Sequence, residues 1–207
     1  MHADASNERI HRKVVWGRRA MAATVLLCAA ITSSCSEAIR TGQSSSYLII
    51  TSLVGQKGGG ANATPDTNLD SDVITVVAGS PTIFGDTGSA SFQLVMKDSL
   101  NTPSAVNSIT LTQYHVKYIR SDGRNVQGVD VPYEFDGGMS FTVTGTGTTG
   151  FMLVRNQAKT EAPLAALANS GRIISTIAEV TFFGHDQTGR SVTVTGRIDI
   201  NFANWGD

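Results

Sequence analysis

The chain has almost no cysteine: there are two, Cys28 and Cys35, and both fall in its first 35 residues. From Ser36 onward there are none, which removes disulfides, zinc–thiolate sites, thiol nucleophiles and iron–sulfur clusters together. Histidine is nearly as scarce. After residue 35 only His115 and His185 remain, far apart and without the His-x-x-x-His spacing that seats zinc on a helix. No G-x-S-x-G elbow marks a hydrolase, and no glycine-rich phosphate loop follows a strand and opens a helix. Aromatic residues make up 7% of the chain, so any stacking surface must be drawn from a few rings, of which Tyr133, Phe135 and Trp205 are the candidates. Excess positive charge is missing too. After Ser34 the chain carries 11 Lys plus Arg against 15 Asp plus Glu, a net of −4 with His neutral. A mildly acidic domain lacks the footprint of nucleic-acid binding, so no nucleic-acid partner is expected.

A long apolar run is also absent. The stretch "AMAATVLLCAAITSSCSEA" at 20–38 has an apolar core of only about twelve residues, short of the roughly 20 that cross a bilayer. His11, Arg12, Lys13, Arg18 and Arg19 precede it, and the small residues Thr32, Ser33 and Ser34 follow it, then Cys35. A basic start, a short apolar centre and a small-residue boundary are the order of a secretory signal. The apolar residues run all round, whereas a surface helix of a globular domain would space them every three to four positions. The segment resembles a bacterial lipoprotein signal, in which the cysteine after the small residues receives lipid. That resemblance implies Cys35 as the lipid attachment site and a membrane tether outside the cytoplasm. Thr32 stands where such signals usually carry a leucine-like residue, so ordinary signal-peptidase cleavage near 34–38 is the alternative.

This reading divides the chain into a signal segment at 1–35, a flexible tether at 36–46 and a single domain at 47–207. Alternation with period two dominates the domain. In "SVTVTGRIDINF" the residues Val192, Val194, Ile198, Ile200 and Phe202 share one face, with Gly196 at a gap in the row. Before it, "HDQTGR" separates two strand-like runs and reads as a hairpin turned at Gly189. "ASFQLVM" places Ala90, Phe92, Leu94 and Met96 inward. In "SITLTQYHVKYI" the row Ile109, Leu111 continues as Tyr114, Val116, Tyr118, so the phase slips by one near Thr112 and predicts a β-bulge. "YLII" and "VITVV" are apolar on both faces, as in central or interface-covered strands. "GTGTTG" reads as a hairpin loop, and "GQKGGGANATPDT" as a surface loop. "KTEAPLAALANSG" alone reads as helical, capped by Thr160 and ended at Gly171. The expected fold is all-β: an antiparallel β-sandwich, immunoglobulin-like, with one short helix. No cysteine pair or central-strand tryptophan accompanies it.

The most distinctive segment is "RSDGRNVQGVDVPYEFDGGMS" at 120–140. Asp122, Asp130, Tyr133, Phe135 and Asp136 are its candidate binding residues, the carboxylates accepting hydrogen bonds and the rings stacking on a sugar or peptide. The competing reading is a long connection whose aspartates form Asx-turns and whose rings cover a sheet edge. Calcium needs six or more oxygens, and neither "SDGRN" nor "NLDSD" has the spaced acidic pattern. No metal or other cofactor is therefore expected. Glu179 falls out of phase with Ala178 and Val180 and should face solvent, and no catalytic residue is assigned.

"SDGRN…GVDVPYEFDG" together with "AEVTFFGHDQTGR" resembles a set of uncharacterised exported bacterial proteins with a lipoprotein-like signal. The resemblance implies export and no particular activity. The expectation is a non-catalytic binding or envelope-structural module, lipid-tethered at the bacterial cell envelope, with an envelope protein or glycan as partner. A carbohydrate-active, carbohydrate-binding or other hydrolytic domain is the alternative; it requires the aromatics to lie exposed in one plane beside carboxylates. Self-assembly through an exposed edge strand is a third.

Overall fold

The computed structural model describes residues 44–59 and 64–206. The expected signal segment, Cys35 and most of the expected tether lie outside the described residues. Among the described residues the chain is mostly strand with one short helix. Among the described residues the order is β1 (Ser46–Gln56), β2 (Asn68–Asp72), β3 (Thr75–Val77), β4 (Ser80–Thr82), β5 (Asp86–Met96), β6 (Ile109–Ile119), β7 (Phe135–Val143), β8 (Thr146–Val154), α1 (Asn156–Thr160), β9 (Ile174–Asp186) and β10 (Ser191–Ala203). A three-stranded antiparallel sheet runs β1-β5-β8, and a five-stranded sheet runs β2-β10-β9-β6-β7. β3 and β4 form a small hairpin of their own.

The alternation sets the strands as expected. Val192, Ile198, Ile200 and Phe202 of β10 are buried while Ser191, Thr193, Arg197 and Asp199 are wet. Gly189 turns the β9–β10 hairpin with φ +81, a conformation that costs glycine little. Gly196 leaves its gap for a reason: a Cβ there would press on Ile50 and Leu53 of β1. On β6 the residues Ile109, Leu111, Tyr114, Val116 and Tyr118 are all buried, and the pairing with both neighbours shifts register between Leu111 and Gln113. The bulge at Thr112 lets one strand keep its apolar row inward on both sides of the slip.

The inner rows of the two sheets meet in one core. Phe92 of β5 lies edge-on to Phe182 of β9, with ring centroids 5.0 Å apart, and Phe151 of β8 meets the same ring at 5.3 Å. Tyr114 of β6 packs against Phe151 at 5.3 Å. Edge-to-face pairs of this kind add about 0.5–1.5 kcal/mol beyond the area they bury.

Several expectations are corrected. The pairing is not wholly antiparallel, because β2 runs parallel to β10 along Asn68–Asp72. "YLII" belongs to an edge strand of the small sheet, with Tyr47 and Ile49 partly exposed, and "VITVV" ends in the β3–β4 hairpin with Val76 and Val77 exposed. β-branched side chains fit a pleated surface whether or not it is covered, so an all-apolar run overstated burial. Most of "GTGTTG" is strand, not loop: Thr146–Gly150 pairs with β5 through Ser89–Gln93. The expected helix is shorter and earlier. Thr160 is the last residue of α1, its Oγ1 donating to the Gln157 carbonyl, and a 3-10 turn at Leu164–Leu167 follows. Pro163 has no N–H to give a helix and separates the two. Ser44 and Ser46, at the end of the expected tether, are already buried, and Ser46 opens β1.

Candidate functional site

The connection from β6 to β7 is short of regular structure but densely bonded. Asp122 sits in a turn and is gripped from two sides: Arg120 donates Nε at 3.1 Å and Nη2 at 2.6 Å, and Arg124 donates its backbone N–H at 3.1 Å and Nε at 3.0 Å. The Arg120 hydrogen bond, then the Arg124 N–H, holds the Asp122 carboxyl well below the usual carboxylate range. Farther along, the Val126 carbonyl accepts N–H groups from Val129, Asp130 and Val131, while Asp130 Oδ2 accepts the Val126 N–H at 3.2 Å. Val131 is buried beneath this knot. Gly128 takes φ +74 and the Tyr133 ring lies directly over it, leaving no room for a Cβ.

The five expected binding residues do not gather at one point. Asp122 and Asp130 brace the loop. Tyr133 is half exposed over Gly128. Phe135 is a core residue, edge-on to Tyr114 at 6.3 Å, with the Arg155 guanidinium 4.5 Å above its ring, a cation–π contact. Asp136 points to the other side of β7, where its Oδ1 is 2.9 Å from Nδ1 of His115, and Glu134 lies 3.7 Å from the second ring nitrogen. Trp205 is tied down as well, its indole N–H donating to the Ser71 carbonyl at 3.2 Å. A plane of exposed rings beside carboxylates is not formed by Tyr133, Phe135 and Trp205.

What the braced loop does form is one wall of a cleft. Arg120, Arg124 and Val129 face Pro163, Arg172 and Ile173 across a volume of about 450 Å³. Val129 and Ile173 are the exposed apolar residues of the two walls, 67% and 54% accessible, and arginines stand on both sides. A surface of this kind suits a partner that offers an apolar group beside a carboxylate or other anion.

Elsewhere in the domain lies a feature that reading the sequence for exposed loops misses. Asp86, the first residue of β5, and Lys159 of α1 form a buried ion pair, with Nζ 3.0 Å from Oδ1 and 2.9 Å from Oδ2. Ser71 Oγ donates to Oδ2 at 2.6 Å, and the Gly58 N–H donates to Oδ1 at 2.9 Å. Beside them Asp72 takes the Lys57 ammonium at 2.9 Å and the Trp205 N–H at 3.1 Å. Burial lowers the affinity of the Lys159 amine for its proton, and the neighbouring Asp86 charge opposes that shift. The signal for Asp86 is present in the sequence: the inward row Ala90, Phe92, Leu94 extended backward reaches Gly88 and then Asp86. Lys159 has no such signal, since its burial depends on where α1 docks.

No protein-family model matches the chain, and no curated protein matches it.

Proposed function

We propose that the chain is an exported bacterial envelope protein whose domain is an immunoglobulin-like β-sandwich, tethered to membrane through a lipid on Cys35, and that it acts as a non-catalytic binding or envelope-structural module. One observation carries the binding part of this reading. Asp122 and Asp130 brace the 120–134 connection, with Arg120 and Arg124 held on Asp122, which leaves a stiff cleft wall with Val129 presented outward. A rigid, exposed apolar residue flanked by arginines is the composition of a recognition surface rather than of a site for general acid–base chemistry. The partner that fits best is an envelope protein with an apolar group to seat against Val129 and an acidic one to meet Arg172 of the opposite wall.

The test has two parts. Labelled palmitate should enter the wild-type protein and not Cys35→Ala, and the variant should leave the membrane fraction; equal fractionation without label removes the tether. A photo-crosslinking residue at Val129 in intact cells should give one discrete adduct that the same residue at exposed Thr193 does not give. Identical patterns at the two positions would sink the binding role.

A further inference from the structure

Asp86 and Lys159 lie 73 residues apart in the chain and meet with side chains 0% and 1% accessible. Two charges placed so deeply are costly to hold, and their attraction repays the loss of water only in part. A proton passed from the ammonium to the carboxylate leaves an amine and a carboxylic acid, both uncharged and so less costly to bury. Those are also the nucleophile and the electrophile of amide formation, already in contact and shielded from solvent. Fixed geometry of this sort replaces the encounter step that makes the reaction slow in water.

We infer that Lys159 and Asp86 condense in the folded protein to an intramolecular amide, a covalent staple between β5 and α1. The Nζ lone pair attacks Cγ of Asp86 and the C–N bond forms. The carbonyl electron pair moves onto Oδ1, where the Gly58 N–H receives the developing charge. Oδ2 leaves as water: it carries the proton first transferred from Nζ and takes a second proton directly from Nζ, which lies 2.9 Å away, while the Ser71 hydroxyl stays hydrogen-bonded to it. The C–O bond breaks, one hydrogen stays on the amide nitrogen, and nothing is oxidised or reduced. No external reactant is needed.

The setting favours such a bond. The domain has no cysteine after Cys35, so a disulfide cannot constrain its unfolded chain, whereas an amide closing a loop of this length acts on the unfolded ensemble in the same way. Ser71 of β2 and Gly58 of the preceding loop hold the carboxyl from the five-stranded sheet's side, so the staple is formed where three parts of the chain converge. The inference is independent of export and of the cleft.

Peptide mapping of the purified full-length protein decides the matter. The expected result is the loss of one water, no tryptic cleavage after Lys159, and a branched peptide whose fragments join Lys159 to Asp86. Lys159→Arg, which cannot condense, should abolish the branch. Linear peptides ending at an unmodified Lys159 from the wild type would overturn the proposal, whatever the variant does. Loss of water that maps to another residue, such as a cyclised Asp122–Gly123, would overturn it equally.

Discussion

The hydroxyl of Tyr118 donates to the carbonyl of Leu153 across the core, 2.8 Å from one sheet to the other. Leu153 is the residue that the β5–β8 pairing skips at the register shift beside Asp86 and Thr87, so the bulge frees a carbonyl and Tyr118 takes it. One turn of the pleat away, Tyr114 accepts the Met152 N–H at 3.1 Å. Two tyrosines on one row of β6 thus bond backbone groups of β8 at and beside the bulge.

Tyr118→Phe keeps the ring and strands the Leu153 carbonyl. The expected loss is about 1–3 kcal/mol, read as a lower denaturation midpoint with an unchanged denaturant slope. Burial, and after it the Asp86 charge, pushes the Tyr118 hydroxyl far above the usual tyrosine range. The unfolded group titrates near about 10, so this contribution is complete below that pH and declines as pH rises beyond it. Phenolate absorbance from Tyr118 should therefore appear together with alkaline unfolding. If it ionises while the near-ultraviolet dichroism is still native, the hydroxyl is not held as described.

The β6 row shows how far the sequence could be read. Its phase slip at Thr112 was legible because each apolar side chain had to stay inward, and a period of two leaves one way to do so. Asp86 obeyed the same rule and could have been placed inward. The small-sheet position of β1, the strand character of "GTGTTG" and the burial of Lys159 were not legible, since each depends on which neighbour docks, and local composition carries no record of that. The loop at 120–134 was visible as a feature, but Asp122 and Asp130 in it are braces. Turn-forming and ligand-binding aspartates have the same composition, and only the positions of Arg120 and Arg124 separate them.

Gly184 tests the bulge from the facing strand. A Cβ there would meet the Thr110 carbonyl oxygen and Leu111 Cα, both backbone, so no side chain can move aside. Gly184→Ala should cost about 1–3 kcal/mol. Amide exchange in β6 and β9 should quicken more than in β1, and uniform exchange rates would count against a local clash.

The ion pair of Arg197 and Glu179 makes an opposite expectation. Both Nε and Nη2 reach one carboxylate oxygen, at 2.9 and 2.6 Å, yet the arginine side chain is 68% accessible. Exposed pairs contribute about 0–1 kcal/mol. Arg197→Ala should shift the unfolding midpoint little, and less still in high salt; a large loss would mean that the arginine stem covers the β1–β10 groove it borders.

Asp186 closes the β9–β10 hairpin with one oxygen. Oδ1 accepts the Thr188 N–H at 2.8 Å, the Thr188 hydroxyl at 2.7 Å and the Arg190 N–H at 3.0 Å. Burial works to raise its pKa, and these hydrogen bonds, with a further one from Ser44, outweigh it and bring the value down to about 2. An unfolded aspartate titrates near about 3.9. The folded group therefore adds stability that is fully present above that pH and is lost as pH falls toward about 2. Asp186→Asn can still accept at one oxygen but without charge, and should be less stable than wild type by about 1.5–3 kcal/mol at neutral pH. Measured by urea unfolding, that difference should hold steady from neutrality down to about pH 5 and shrink between about pH 4 and 2. A difference that stays constant through acid would show that the carboxylate's charge has no part in holding the turn, leaving Gly189 and the backbone bond from Asp186 to Arg190 to do so alone.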